Sequence, residues 1–147
     1  MIWLALDLGS RRIGAAVSDP GGTIAVPLTT LSAGRDGALP LAQIRELVRS
    51  REVQGIVVGL PRRLDGSHGP AAQAAEAAAA RLRAELGLPV ELWDERLTSV
   101  EAERLLVEAG VRRKRRRGAT DRVAAALILQ GFLDHRAATT ASPALET

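Results

Sequence analysis

Three kinds of hydrophobic patterning succeed one another along this chain, and each predicts a different element. Ile2 to Asp7 is an almost unbroken apolar run, which reads as a strand buried on both faces. After a Gly9-Ser10-Arg11 turn a second run spans Ile13 to Ser18, and after Asp19-Pro20-Gly21-Gly22 a third spans Ile24 to Leu31. Short runs separated by such turn residues predict an antiparallel meander. Pro27 brings no N–H to a ladder and so assigns the third strand to a sheet edge.

From there the periodicity changes. Leu41, Ile44, Leu47 and Val48 follow helical spacing, Gly55 to Leu60 is a buried strand stopped by Pro61, and the Ala-rich run from Ala71 to Leu86 is a helix ended by Gly87 and Pro89. Val90 to Trp93 is a fifth strand. Thr98-Ser99-Val100-Glu101 has capping-box spacing and opens a helix with Ala102, Leu105, Leu106 and Ala109 on its core face and Gly110 as its stop. A last helix opens at Thr120-Asp121 and continues through Phe132 and Leu133.

This order predicts an α/β fold: a mixed five-stranded sheet, three antiparallel strands first and then two parallel, flanked by helices on both faces. The 147 residues suit a single domain over 1–136, and the small and polar residues after Ala137 predict a disordered tail over 137–147. No apolar run approaches the roughly 20 residues of a membrane span, and the N-terminus lacks the charged start and cleavage site of a secretion signal. A cytoplasmic protein is expected.

Composition narrows the chemistry. The absence of Cys excludes thiol catalysis, disulfides and a Cys-ligated metal, and two His residues, His68 and His135, leave little for a zinc site. A metal here would be held by carboxylates and water, which suits Mg²⁺ or Mn²⁺. Three acids stand where apolar elements would aim them at one cleft. Asp7 lies near the end of the first strand, Glu95 in the loop after the fifth, and Asp121 on the helical face of Ala125, Ile128 and Phe132. An inward-facing carboxylate requires a metal, a cation or backbone donors. Each acid also has an ordinary reading: Asp7 as a turn acceptor, Asp94 in place of Glu95 because strand alternation turns the two apart, and Asp121 as an acid favoured by a helix dipole. Three acids facing one another form the arrangement of a metal-dependent nuclease.

Charge adds a second theme. Arg112, Arg113, Lys114, Arg115, Arg116 and Arg117 are consecutive, and without them the rest of the chain is mildly acidic. Such a block repels itself and stays solvated between the last two helices unless a polyanion neutralises it, and a phosphate backbone is the obvious candidate. Arg11, Arg12, Arg62, Arg63, Arg96 and Arg122 flank the acid-bearing loops, with planar forks suited to phosphate.

Four segments together resemble a known family. They are Leu6-Asp7-Leu8-Gly9-Ser10-Arg11-Arg12-Ile13-Gly14 with Ser18-Asp19-Pro20, Val57-Val58-Gly59-Leu60-Pro61 with Asp65-Gly66, Asp94-Glu95-Arg96-Leu97-Thr98, and Asp121 with Ala124-Ala125 and Ile128-Leu129-Gln130. In order and spacing they resemble the pre-16S rRNA nucleases of the YqgF type, also described as Holliday-junction-resolvase-like, over about residues 1 to 134. The resemblance implies a ribonuclease-H-like fold and a cytoplasmic nuclease maturing the 5′ end of small-subunit rRNA, with RNA or branched DNA as substrate and the pre-ribosomal particle as a partner. Carried over by position, Asp7, Glu95 and Asp121 match the family's metal-binding acids, for two Mg²⁺ or Mn²⁺ ions, and Arg12 matches the basic residue beside the first.

Departures from the family pattern are Arg62-Arg63 in a loop that is often neutral and Thr120, a possible helix cap, where an apolar residue is common. Junction resolvases of this fold use four acids, which leaves Asp94 and Asp19 as candidates for a fourth. Two other classes fit part of the chain. A non-catalytic RNA-binding or transcription-associated module would need only the basic run. Asp7-Leu8-Gly9 also resembles the phosphate loop of actin-like sugar kinases, whose second lobe this length leaves no room for.

Overall fold

Strand β1 (Trp3–Leu8) sends Leu4 and Leu6 to one face and Trp3 and Ala5 to the other, and solvent reaches almost none of them. A strand apolar on both faces is stable only when covered on both, which places β1 at the centre of a sheet. The computed structural model describes residues 1–9, 11–35, 38–60, 69–94 and 113–145, with side chains of the last segment described over 121–139. Strands β2 (Arg12–Ser18) and β3 (Ala25–Ser32) continue antiparallel on one side of β1, while β4 (Gly55–Leu60) and β5 (Val90–Asp94) add in parallel on the other. The resulting order, β3-β2-β1-β4-β5, is the mixed five-stranded sheet expected from the sequence.

Helices α1 (Leu41–Ser50) and α2 (Pro70–Leu86) cover one face, where Ile44, Ala72, Ala75, Ala79 and Leu82 meet Leu4, Leu6, Ile56 and Val58. Helix α2 ends at Gly87, whose left-handed φ of 65° lets its N–H return to the Arg83 carbonyl at 3.0 Å. On the other face, helix α3 (Arg113–Leu145) packs Ala125, Ile128, Leu129 and Phe132 on Trp3, Ala5, Ala16 and Val57. Pro27 lies on the edge strand as predicted. The β2–β3 register skips between Ala15 and Ala16, so that Thr29 and Pro27 are their partners and Leu28 is the extra residue of a bulge. No helix among the described residues is long and apolar enough to cross a membrane.

The last helix begins earlier than its apolar pattern predicts. Its backbone is helical from Arg113, inside the basic run, so Arg113–Arg117 extend α3 instead of forming a connection. Neither Thr120 nor Asp121 stands at the N-terminus, which removes the cap reading of the first and the dipole reading of the second. Arg, Lys and Ala are good helix formers and only Gly118 and Thr120 oppose them there; apolar periodicity registers only the part that packs on the sheet. At its other end α3 stays helical to Leu145, within the segment whose composition predicts a tail. The helix predicted from Ser99 to Ala109 lies outside the described residues.

Candidate active site

Strands β1, β4 and β5 end on one edge of the sheet, with Leu6 opposite Val58, Gly59 opposite Trp93 and Leu60 opposite Asp94. Open sheets of this kind gather their chemistry outside the carboxyl ends of parallel strands. Asp7 stands at this edge, and alternation along β1 puts it on the face of Trp3 and Ala5, beneath α3. Its antiparallel partner is Gly14. A Cβ on Gly14 would lie 1.9 Å from the Asp121 carbonyl oxygen, so a residue without a side chain is what lets α3 lie down over β2 at this point. Cross-strand Cβ atoms sit about 4.5–5.5 Å apart, which makes the backbones at Asp7 and Asp121 neighbours across the gap that Gly14 leaves.

Arg12 joins them through the β1–β2 turn. Gly9 N–H donates to the Arg12 carbonyl at 2.9 Å, a contact so close that a Cβ on Gly9 would fall 2.6 Å from that oxygen. The turn sets Arg12 beside the end of β1, and its Nε donates to Asp121 Oδ2 at 2.7 Å. The bond is short and charge-assisted. With the side chains 42% and 24% exposed, however, water screens it, and a net worth of at most about 1 kcal/mol is expected. Three of the residues singled out in the sequence, Asp7, Arg12 and Asp121, therefore lie together.

Glu95, Arg62, Arg63, Arg96 and Arg112 lie outside the described residues. The chain enters their segments from Leu60 and Asp94, both at the same edge. Arg113, Lys114, Arg115, Arg116 and Arg117 belong to the first turns of α3. That helix runs antiparallel to β1: Asp121 lies over Gly14, Gln130 reaches the β2–β3 turn, and the Arg136 guanidinium sits 5.1 Å from the Trp3 ring centre. Residues 113–120 consequently project about 12 Å past Asp121, beyond the edge that carries Asp7, at the usual rise per residue.

Neither candidate for a fourth acid joins this group from the described side chains. Asp19 sits at the far end of β2, where its Oδ1 accepts from Thr23 N–H at 2.7 Å and Ile24 N–H at 2.9 Å. The Ile24 and Thr23 backbone bonds hold its carboxyl below the usual carboxylate range. It closes the β2–β3 turn. Asp94 follows Trp93, which packs on Phe132 of α3; alternation turns Asp94 to the opposite face. Among the described residues no three potential ligands are close enough to hold a metal ion.

Two residues that place the site carry no role in the sequence reading. Gly14 had a legible signal, since glycine inside a strand marks a bulge or a close backbone approach. Gln130 belongs to a segment that carries the family resemblance but has no local signal for its contacts: its Nε2 donates to the Thr23 carbonyl and its Oε1 accepts from Ala25 N–H, each at 2.9 Å, fastening α3 to the β2–β3 turn.

Residues 1–135 match the family RuvX, described as Holliday junction resolvase. A relative from Moorella thermoacetica is 53% identical over 131 residues, covering 89% of this chain and 93% of its own. One from Geobacillus kaustophilus is 46% identical over 134 residues, covering 90% and 97%. Both bear the name "Putative pre-16S rRNA nuclease". Among solved structures, T. thermophilus RuvC in complex with a Holliday junction substrate superposes with a TM-score of 0.56 over 95% of this chain and 97% of that one, at 17% identity. At that identity the likeness establishes the fold, which is ribonuclease-H-like. A family match across nearly the whole chain, with relatives of this identity over almost their full lengths, makes this chain a member of the RuvX family of nucleases.

Proposed function

We propose that this protein is a divalent-metal-dependent nuclease that hydrolyses phosphodiester bonds in the maturation of the 5′ end of pre-16S rRNA in the cytoplasm. The observation that carries the reading is the convergence of Asp7 and Asp121 at the carboxyl edge of β1, made possible by Gly14. The side chains at these two neighbouring positions are carboxylates, and the Arg12 guanidinium on Asp121 already stands in for a cation there. Such a donor set suits Mg²⁺ or Mn²⁺. Asp7 and Asp121, with Glu95 as the third acid, would hold two ions, which supply a nucleophile from water at neutral pH and stabilise the charge on the departing 3′ oxygen.

The remaining roles belong to the chain's own cations. Arg12, Arg62, Arg63 and Arg96 hold the phosphate at the reacting position and restrain its neighbours, which lowers the barrier by orientation and by charge placed in advance. Arg112, Arg113, Lys114, Arg115, Arg116 and Arg117 track the backbone beyond it. Support for RNA comes from the names of the relatives. A second reading, resolution of four-way DNA junctions, is favoured by the description of the matched family.

The test is cleavage by wild type and Asp7→Asn in Mn²⁺ of three substrates: single-stranded RNA, an rRNA-precursor 5′ leader and a four-way DNA junction. Wild type should cut the leader best, and Asp7→Asn should lose at least about a hundredfold, since even supporting residues around metal ligands cost 10–100-fold. Preference for the junction would select the second reading. Undiminished cleavage by Asp7→Asn would remove Asp7 from the site, and tight RNA binding without cutting by either protein would favour a non-catalytic module.

A further inference from the structure

The Arg12–Asp121 pair joins a cation suited to phosphate with an acid suited to metal, and the fold does not need it for packing. Helix α3 is held on the sheet by Ala125, Ile128, Leu129 and Phe132 and fastened to the hairpin by Gln130. The pair itself is open to water, with 42% of the Arg12 side chain and 24% of the Asp121 side chain exposed. Arg12 reaches Asp121 through Nε, one donor of the five a guanidinium carries. A contact of this kind is exchangeable: its partners are screened, and the arginine retains donors for another anion.

We infer that Arg12 and Asp121 form a cation-exchange latch, in which Arg12 occupies the Asp121 carboxylate until a divalent ion takes its place and is then released to bind a substrate phosphate. The inference rests on the metal-site reading given above. The guanidinium that Asp121 Oδ2 accepts at 2.7 Å and a divalent ion both draw on the charge of one carboxylate, so each weakens the other's hold on it. Displacement leaves the carboxylate with a cation beside it, and Arg12, anchored at the start of β2 by the Gly9 turn, stays within side-chain reach of a phosphate brought to the same edge. Metal and nucleic acid then favour each other's binding, and linkage requires that the coupling be equal in both directions. Before metal arrives, the charge of Arg12 is offset by Asp121, so phosphate is gripped less strongly at the acids than when hydrolysis can follow.

The latch is tested in two experiments on the full-length protein. In the first, Mn²⁺ alone is titrated into wild type, Arg12→Gln and Arg12→Lys, with free Mn²⁺ read by its electron paramagnetic resonance signal. Removing the competing cation should tighten Mn²⁺ binding in Arg12→Gln by roughly two- to fivefold, the scale of a water-screened ion pair, with Arg12→Lys in between. The second measures binding of a short single-stranded RNA in EDTA to wild type, Asp121→Asn, Arg12→Gln and the double variant. Asp121→Asn should tighten RNA binding in the presence of Arg12, because it frees the guanidinium, and do so clearly less in the Arg12→Gln background.

Urea midpoints of every variant show whether folding differences enter. Mn²⁺ binding that Arg12→Gln leaves unchanged or weakens, together with additive effects on RNA binding, would overturn the latch while leaving the metal site standing. Absence of Mn²⁺ binding by wild type would overturn both.

Discussion

A side chain at position 14 would meet the carbonyl oxygen of Asp121 at 1.9 Å and its carbonyl carbon at 2.3 Å. Both are backbone atoms of a packed helix, so no rotamer change relieves the clash. Gly14→Ala must lift α3 from β2 or distort the strand. Overpacking of this kind costs about 1–3 kcal/mol, and it acts where Asp121 faces the Asp7 strand. Urea denaturation should show that loss of stability, and Mn²⁺-dependent cleavage should fall even at temperatures where the variant is fully folded. A Gly14→Ala protein with wild-type stability and activity would mean that the close approach has no bearing on the acids. The faces on which Asp7 and Asp121 lie could be read from the sequence because each is embedded in apolar neighbours. The signal of Gly14 was legible but did not say which feature it marks, since a strand glycine signals either a bulge or a close approach. The Arg12–Asp121 bond spans 109 residues of sequence, a pairing that no local pattern encodes.

Among the elements, strands were the most legible. Their apolar runs are bounded by Gly, Pro and Asp, and all five occur within a residue or two of their expected limits. The beginning of α3 was not legible, because a basic run has helix propensity but no apolar stripe. The β2–β3 hairpin shows an acid that serves a turn. Asp19 accepts two backbone N–H groups, and those bonds hold its carboxyl below the usual range. A carboxyl whose folded-state pKa is depressed contributes stability that is complete above its unfolded-state pKa and is lost as pH falls through the folded-state one. Asp19→Asn keeps an acceptor oxygen but not the charge. Its stability deficit relative to wild type, read as a difference in urea midpoint, should therefore be largest near neutral pH and shrink once pH drops below the carboxylate range. The other acids titrate alike in both proteins and cancel in the comparison. A deficit independent of pH would show that the charge on Asp19 does not support the turn.

For the whole molecule, the decisive asymmetry is between a mildly acidic body and a cationic helical arm. Five of the six consecutive cations lie in the part of α3 that projects past the carboxyl edge of β1, and this position has an energetic cost. Positive charges near a helix N-terminus oppose the macrodipole and repel one another, so the arm is favoured by anions that neutralise it. Bound phosphates would do so while lying in line with the edge that carries Asp7 and Asp121. Contacts of this type release counterions, and for single strands the slope of log K against log salt changes by about 0.7 per phosphate neutralised. Replacing Arg113, Arg115 and Arg117 together by Gln should accordingly make the salt dependence of RNA binding shallower by roughly 2 units and weaken binding about equally for unrelated sequences. Fluorescence-anisotropy titrations over a series of KCl concentrations, in Ca²⁺ or EDTA to prevent turnover, would measure both. An unchanged slope with weakened binding would mean that the arm acts on the fold and not on the phosphates. A loss confined to one RNA sequence would mean that it reads bases. A uniform loss with a shallower slope is the behaviour of an electrostatic guide, one that delivers any single strand to the acids and leaves selection of the cleavage position to the residues at the sheet edge.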